Sequence, residues 1–298
     1  LSSIMQPKSP SAELLYLALE NITFEQFTIF SHQIFNEITL EVLIHGNWNK
    51  EQAFHLSNTI KEAFKPHYDA KYSFKIPVLD LTEREEIIFP LILPKHDHAT
   101  VFYYPFKDKS VLLMAKAMLV SHLLSPFFFQ EMRTQKQLGY LVGVGYVPIH
   151  RFPGIAFYIQ SPHTDSSTLR ACIDEFIEKC NRHMESMSDD NWHHLQHGLA
   201  GQLKEKDANL RVRSQRFWAA ICNEDQLFDH RDELIKALVS LTLDNIKTFI
   251  QQHLLKSVNP DRITLMSIQN QDELAPIKTS GKIFTDIKEI SNLCQSKF

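Results

Sequence analysis

The chain has 298 residues, of which 44% are hydrophobic and 22% charged, a balance that is typical of globular proteins and excludes collagen-like and globally disordered classes. Its 31 Lys and Arg residues against 35 Asp and Glu residues give a net charge of −4. Because there is no basic excess to neutralise phosphates, we expect no nucleic-acid partner. The apolar runs are interrupted by Lys, Ser or Pro and fall short of the roughly 20 residues that span a bilayer, so we expect no membrane partner.

Helix caps and apolar periodicity predict the elements in the first part of the chain. Thr23, followed three residues later by a Gln, has the pattern of a capping box at the start of a helix. Further helices are predicted over 11–20 and 49–65. The run 39–45 combines alternating apolar residues with β-branched ones and predicts a strand.

The second part of the chain is predicted to contain a group of strands and then a run of helices. The predicted strands are 86–93, 100–106, 141–148, 154–160 and 262–268. The predicted helices are 110–132, which Pro126 interrupts, 166–187, 189–205, 211–223, 231–239 and 242–255. This grouping favours an α+β fold with an antiparallel-rich sheet and helices on one face.

A pattern that occurs twice indicates two related domains. The helix start at Thr23 recurs at Thr242, and the sequence Ile-Thr-Leu at 38–40 recurs at 263–265. Coincidence is the alternative, because amphipathic helices share a period. We predict the C-terminal part of one αβ domain over 1–68, a linker over 69–81, a complete αβ domain over 82–269 and an appendage over 270–298. The residues after Leu1 have no signal-peptide pattern, and we expect the sequence to be a piece of a longer protein.

Two of the 15 histidines have the spacing of a zinc-binding pair. His193 and His197 lie one helical turn apart. With a Glu at position 196 the run would be H-x-x-E-H, whose carboxylate takes a proton from metal-bound water. The residue is Gln196, and an amide cannot act as this base. We predict solvated histidines and no metal ligand in this chain, with a local zinc site as the alternative.

The segment from Arg133 to Tyr140 is the strongest candidate for a functional site. Arg133 is predicted to end a helix, Gly139 to permit a tight turn and Tyr140 to begin a strand. A guanidinium and a phenol on one rim can both donate hydrogen bonds to a peptide carbonyl or to the oxyanion that develops on it. The structural alternative is that Tyr140 is a core residue and Arg133 pairs with Glu131.

These residues also carry a resemblance to a known family. The pattern R-x(4)-Q-L-G-Y over 133–140, followed by a hairpin and the sequence FYIQS at 157–161, resembles the C-terminal half of the pitrilysin/insulysin (insulinase) zinc metallopeptidases. The sequence LEVLIHGN at 40–47 resembles the end of the third domain of those enzymes. The resemblance implies tandem two-layer αβ domains of the mitochondrial-processing-peptidase-like type.

The resemblance also implies a function. The zinc and its H-x-x-E-H motif would belong to an N-terminal half, and this half would close a chamber around peptide substrates and be inactive alone. Arg133 and Tyr140 would be catalytic: Tyr140 would donate to the scissile carbonyl, and Arg133 would position the substrate or Tyr140. The alternative is an inactive homologue or accessory subunit that binds peptides or an active partner. Bacterial members of the family suggest a periplasmic location, with the cytoplasm as the alternative.

Overall fold

The structure is a computed structural model and describes residues 1–6, 8–35, 38–64, 77–81, 85–93, 97–223, 228–255, 261–274, 281–293 and 295–297. Its helices are α1 Ser2–Met5, α2 Ala12–Asn21, α3 Phe24–Gln33, α4 Lys50–Phe64, α5 Val111–Phe129, α6 Ser166–Glu185, α7 Asp189–Lys204, α8 Leu210–Cys222, α9 His230–Ser240, α10 Leu243–His253 and α11 Ile287–Leu293. Its strands are β1 Val78–Asp80, β2 Ile87–Ile92, β3 His98–Pro105, β4 Leu141–Tyr146, β5 Gly154–Ser161, β6 Ile263–Ile268, β7 Lys282–Ile283 and β8 Gln295–Lys297. A π-helical turn, Gln130–Gln135, continues α5.

The chain divides into two compact units. Unit 1 contains Leu1–Pro7, Pro77–Glu205 and Asp229–Phe298, and unit 2 contains Lys8–Ile76 and Lys206–Phe228. This division differs from the predicted boundaries, because α8 belongs to unit 2 rather than to the domain over 82–269. Contacts in space hold α8 there: the His45 Nδ1 lies 2.8 Å from the Ser214 hydroxyl.

The structure places strands in both the predicted linker and the predicted appendage. Part of the predicted linker, 69–76, lies outside the described residues, and the rest contains β1, whose Val78 and Leu79 are buried. The predicted appendage contributes β7, which pairs with β2, and β8, which pairs with β1. Strands this short are stabilised by pairing with distant residues, and local sequence does not indicate them.

Unit 1 is built on a six-stranded sheet with the order β4-β5-β3-β6-β2-β7. The pairs from β4 to β6 are antiparallel, and the pairs of β2 with β6 and with β7 are parallel. The hairpin between β4 and β5 turns at His150 and Arg151, whose φ angles of 45° and 64° are typical of a type I′ turn. The predicted α+β fold with an antiparallel-rich sheet is confirmed.

Side-chain alternation along the central strands separates two cores. Phe102 of β3 and Phe157 of β5 pack under the layer formed by α5, α6, α7, α9 and α10. On the opposite face, Tyr103 and Ala156 contact a smaller core to which α1, β1 and α11 contribute. The prediction of helices on one face is therefore correct for the long helices, and two short ones cover the other face.

The longest apolar helix is the central helix of the larger core. By length and composition alone, the helical run from Val111 to Gln135 could cross a membrane, which corrects the expectation that no run is long enough. Leu123, Leu124 and Phe128 of this helix are fully buried against the rest of unit 1. Pro126 lies inside the helix without ending it, so the predicted interruption is wrong. The burial of the residues before and after Pro126 outweighs the backbone hydrogen bond that a proline costs the helix.

Unit 2 contains the first copy of the repeated pattern, and both copies have the predicted capping box. The hydroxyls of Thr23 and Thr242 each accept a backbone hydrogen bond at 3.2 Å. The helix after Thr242, α10, buries an apolar face in unit 1, whereas α3 buries no residue. The predicted strand over 39–45 is not a strand, because among the described residues no neighbouring strand pairs with it.

Candidate active site

The candidate site is built on the segment that connects α5 to β4. The helix widens at its end into the π-helical turn Gln130–Gln135, in which the Lys136 N–H donates to the Glu131 carbonyl at 2.9 Å. Single π-helical turns occur frequently at functional sites because they displace side chains from the regular helical positions. Here the displaced turn carries Arg133 at the surface.

The turn that follows depends on two residues with different roles. Gln137 has a φ of 52° and is the residue in the left-handed region. The prediction that Gly139 permits the tight turn is therefore wrong. A Cβ at Gly139 would lie 1.8 Å from the carbonyl oxygen of Gln160. Glycine is required there because the backbone passes directly against the end of β5.

Tyr140 and Arg133, the two predicted site residues, lie together on the surface. Tyr140 directly precedes β4 and is 83% exposed, so the alternative of a core residue is wrong. The guanidinium carbon of Arg133 lies 5.8 Å from the centre of the Tyr140 ring and 5.0 Å from that of Phe129. A guanidinium within about 6 Å of an aromatic face is attracted by the ring quadrupole. The two rings therefore restrict where the guanidinium can point.

The predicted alternative partner of Arg133 is engaged elsewhere. The Glu131 carboxylate lies 3.2 Å from the Lys136 ammonium, which also donates to Glu175 of α6 at 2.7 Å. Hydrogen bonds from Lys136 and Lys179 lower the pKa of the Glu175 carboxyl to about 2. This network connects the turn to α6 and leaves the Arg133 side chain directed to the aromatic rings.

A surface depression of about 330 Å³ lies beside these residues. Arg133 and Tyr140 form one wall, and Pro162 and His163, which directly follow β5, form another. Pro162 and His163 are not among the predicted site residues. The pairing of β4 with β5 brings the end of β5 beside the start of β4, so the predicted hairpin is the feature of the sequence that indicates their position. The depression combines a phenol, a guanidinium and an imidazole, which can donate hydrogen bonds to a carbonyl oxygen.

The histidine pair on α7 lies apart from this depression. His193 and His197 are exposed, as predicted, and their ring centres are 6.1 Å apart. Gln196 faces inward and is only 3% exposed. Its amide donates to the carbonyls of Leu238 at 2.9 Å and Leu241 at 2.8 Å, at the end of α9. Gln196, at the position that Glu has in an H-x-x-E-H motif, thus caps the C-terminal end of α9.

The described residues do not form a zinc site. Across the described ranges, no group of three or more His, Cys, Asp or Glu side chains is placed to hold a metal ion. His122 of α5 is half-buried, and burial lowers the pKa of its imidazole. The described part of the chain therefore does not fit a resident zinc ion.

Comparisons with known proteins identify the class of protein with this fold and segment. A family model described as PQQ synthase PqqF-like, C-terminal lobe domain 4, matches residues 119–218, which include the C-terminal part of α5, the π-helical turn and the β4/β5 hairpin. The crystal structure of pitrilysin has a TM-score of 0.82 and 18% identity over 99% of this chain and 31% of that chain. The predicted resemblance is confirmed: the chain matches the C-terminal half of an insulinase-family peptidase.

Particular relatives agree with this class. The A-factor-processing enzyme of Saccharomyces cerevisiae is 24% identical over 96% of this chain and 29% of its own length. The insulin-degrading enzyme of Homo sapiens is 23% identical over 80% of this chain and 24% of its own length. The chain thus spans less than a third of the length of these two relatives. A solved structure described as the inactive domain of a peptidase M16 from Pseudomonas fluorescens has a TM-score of 0.53 and 14% identity over 83% of this chain and 58% of its own.

Proposed function

We propose that the chain is the C-terminal, non-zinc-binding half of a zinc-dependent endopeptidase of the pitrilysin/insulysin type. In this proposal it closes the chamber that the N-terminal half forms around a peptide substrate, and it is inactive alone. The observation that supports the proposal best is the adjacency of Arg133 and the exposed Tyr140 beside an open depression.

The proposed chemistry uses the hydrogen-bond donors of both side chains. The Tyr140 hydroxyl donates to the scissile carbonyl oxygen, which becomes more negative as the tetrahedral intermediate forms. Arg133, held between the Tyr140 and Phe129 rings, keeps the phenol in place and adds a positive charge near the developing oxyanion. Both side chains act only as hydrogen-bond donors in this scheme.

The remaining parts of the reaction are assigned to the N-terminal half. In this proposal, that half binds the zinc ion and provides the base. The proposed partners of this chain are the N-terminal half and the peptide substrate, without nucleic acid or membrane. The proposed compartment is the periplasm, with the cytoplasm as the alternative.

The test restores the N-terminal half and measures hydrolysis of an internally quenched peptide. We expect Tyr140→Phe to lower kcat by about a hundredfold or more, the usual effect of removing one oxyanion donor. Tyr16→Phe is the control, because Tyr16 is also exposed but its hydroxyl donates to Glu20 of the same helix. Unchanged turnover with Tyr140→Phe, or chelator-sensitive hydrolysis by the chain alone, would contradict the proposal.

A second candidate function is a catalytically inactive homologue or accessory subunit that binds peptides or an active partner. The structural neighbour described as an inactive peptidase domain favours keeping this candidate. The sequence of the N-terminal half discriminates between the two: an H-x-x-E-H motif with a later Glu supports the enzyme, and loss of the motif supports the binding protein.

A further inference from the structure

β4 forms an open edge of the six-stranded sheet. It pairs with β5 on one side, and in the part of the chain that the structure describes no strand pairs with its other side. The opposite edge of the sheet ends in the short strand β7. β4 has the sequence LVGVGY and contains neither a charged residue nor a proline, the features that usually protect an exposed edge. β4 is therefore suited to pairing with a further extended segment.

The hydrogen-bond pattern of the hairpin determines which backbone groups point away from β5. The Val147 N–H donates to the Gly154 carbonyl at 2.8 Å, next to the end of β4. In an antiparallel pair, residues that exchange hydrogen bonds alternate with residues whose N–H and C=O point outward. With the observed register, the outward-pointing groups belong to Val142, Val144 and Tyr146.

The open edge leads directly to the candidate active site. Tyr140 precedes the first residue of β4, and the depression lies beside this end of the strand. The side chains of Val142 and Val144 are buried in the larger core, so they are not available to select a ligand. Recognition along β4 would therefore use the main chain.

We propose that β4 is a docking strand for the main chain of the peptide substrate, which adds to the sheet as a further strand and passes the Tyr140 hydroxyl. The inference rests on the proposed function for the nature of the occupant. Main-chain pairing tolerates many sequences but requires an extended segment. The substrates selected in this way are unfolded or extended peptides rather than helices.

The first experiment removes one outward donor from the complete 298-residue chain. Val144→Pro deletes the N–H that points away from β5, a position at which an edge strand tolerates proline. Val144→Ala is the matched control, because it shortens the side chain and keeps the N–H. The probe is a fluorescein-labelled, proline-free peptide with Thr and Val at alternating positions, and its binding is measured by fluorescence anisotropy. We expect about fivefold weaker binding to Val144→Pro than to Val144→Ala, the factor for one net hydrogen bond.

The second experiment changes the ligand, so it does not depend on how the variant folds. The same peptide with N-methyl groups at alternate residues keeps its side chains and loses donors, and we expect it not to bind. In hydrogen exchange, the parent peptide should protect the amides of Val142, Val144 and Tyr146. Equal binding of the methylated peptide, no protection, or no binding of the parent peptide would overturn the inference. So would dimerisation through β4 without peptide binding, which would assign the edge to a second copy.

These outcomes are separate from the test of the proposed function. Peptide binding to this chain requires neither zinc nor turnover. If Val144→Pro binds as well as Val144→Ala, docking on β4 is wrong and the role of Tyr140 is unaffected. If Tyr140→Phe leaves kcat unchanged while β4 still binds peptide, the oxyanion role is wrong and the docking strand remains.

Discussion

The carbonyl oxygen of Gln160 occupies the position that a side chain at Gly139 would require, since a Cβ there would lie 1.8 Å from it. This contact joins the last turn before Tyr140 to the end of β5. The position of the candidate site relative to the sheet therefore depends on a residue without a side chain.

Gly139→Ala should consequently disturb both the fold and the site. We expect a loss of about 1–3 kcal/mol in the free energy of unfolding, the usual cost of overpacking, because the backbone of β5 has to move. Urea denaturation measures this change. Gly198→Ala on α7 is the control: a Cβ there meets nothing within 4 Å, and alanine should stabilise the helix slightly. Equal stability of the two variants would show that the Gly139 contact is not restrictive.

A buried ionic cluster joins β2, β6 and α6, and its centre is Glu86. The carboxylate accepts hydrogen bonds from Arg170 at 2.6 Å, Arg262 at 2.9 Å and Thr264 at 2.6 Å, and Glu86 is only 2% exposed. Burial alone would raise the pKa of Glu86. The positive charges of Arg262 and Arg170 outweigh it, so the pKa falls from 4.5 to about 2.

This lowered pKa predicts loss of stability in acid. The unfolded chain binds the proton first as the pH falls, so the stabilisation by Glu86 is present above about pH 4.5 and is lost between there and about pH 2. Glu86→Gln should cost about 3–5 kcal/mol at pH 7, because it removes the buried carboxylate that pairs with the guanidinium groups of Arg170 and Arg262, of which Arg262 keeps Asp174. The difference between wild type and variant should shrink as the pH falls through this window.

The control for Glu86→Gln is Glu178→Gln, which removes an exposed carboxylate from α6. We expect it to change the free energy of unfolding by less than about 0.5 kcal/mol. Denaturant titrations of the three proteins at several pH values measure the effect. A pH-independent difference between wild type and Glu86→Gln would contradict the assignment.

Completing the zinc motif should damage the protein rather than create a peptidase. Gln196→Glu would place a carboxylate against the carbonyls of Leu238 and Leu241, where the amide now donates. Buried without a donor, the new carboxyl should have a raised pKa and destabilise the fold by about 1–3 kcal/mol at pH 7. The loss should diminish as the pH falls, because the raised pKa means that the folded variant binds the proton before the unfolded chain does.

The exposed Gln202→Glu on the same helix is the control for this variant, and thermal unfolding with and without zinc is the measurement. Zinc-dependent hydrolysis by Gln196→Glu would refute this prediction and revive the local zinc site.

The two capping boxes should contribute unequally to stability. Thr242→Ala should lower the free energy of unfolding of unit 1 by about 1 kcal/mol, because the helix that it starts is packed in the core. Thr23→Ala removes the same cap from a helix that buries no residue, so we expect faster amide exchange within α3 and little global change. Native-state hydrogen exchange distinguishes local from global opening. A global loss with Thr23→Ala as large as that with Thr242→Ala would show that α3 has packing partners.

Elements with local signals were predictable from the sequence, and elements that depend on distant partners were not. The caps at Thr23 and Thr242 indicated their helices correctly, because a cap is formed by residues three apart. β1 and β8 were not predicted because they stabilise each other from segments that lie far apart in the sequence. The strand pattern over 39–45 failed for the complementary reason: its residues favour a strand, but a strand forms only beside another.

The candidate site was predictable in part. Arg133 and Tyr140 lie in one short segment, and the family pattern identified both; their adjacency is a finding of the structure, while their catalytic role stays a prediction. Pro162 and His163 were missed because only the hairpin register brings them to the depression. The role of Gly139 was misjudged, because a close approach between two backbones leaves no signal that distinguishes it from a turn.

The short strand β7 has a consequence for any shortened version of the protein. Its two residues, Lys282–Ile283, pair with Ile87 and Ile88 of β2, so a polypeptide that stopped at residue 269 would leave the outer backbone groups of this part of β2 unpaired. Such molecules can aggregate by edge-to-edge strand pairing, because each added copy again presents an unpaired edge strand. Solubility of unit 1 is thus expected to depend on a tail that pairs with β2 and also contributes Phe284 and Ile290 to the smaller core.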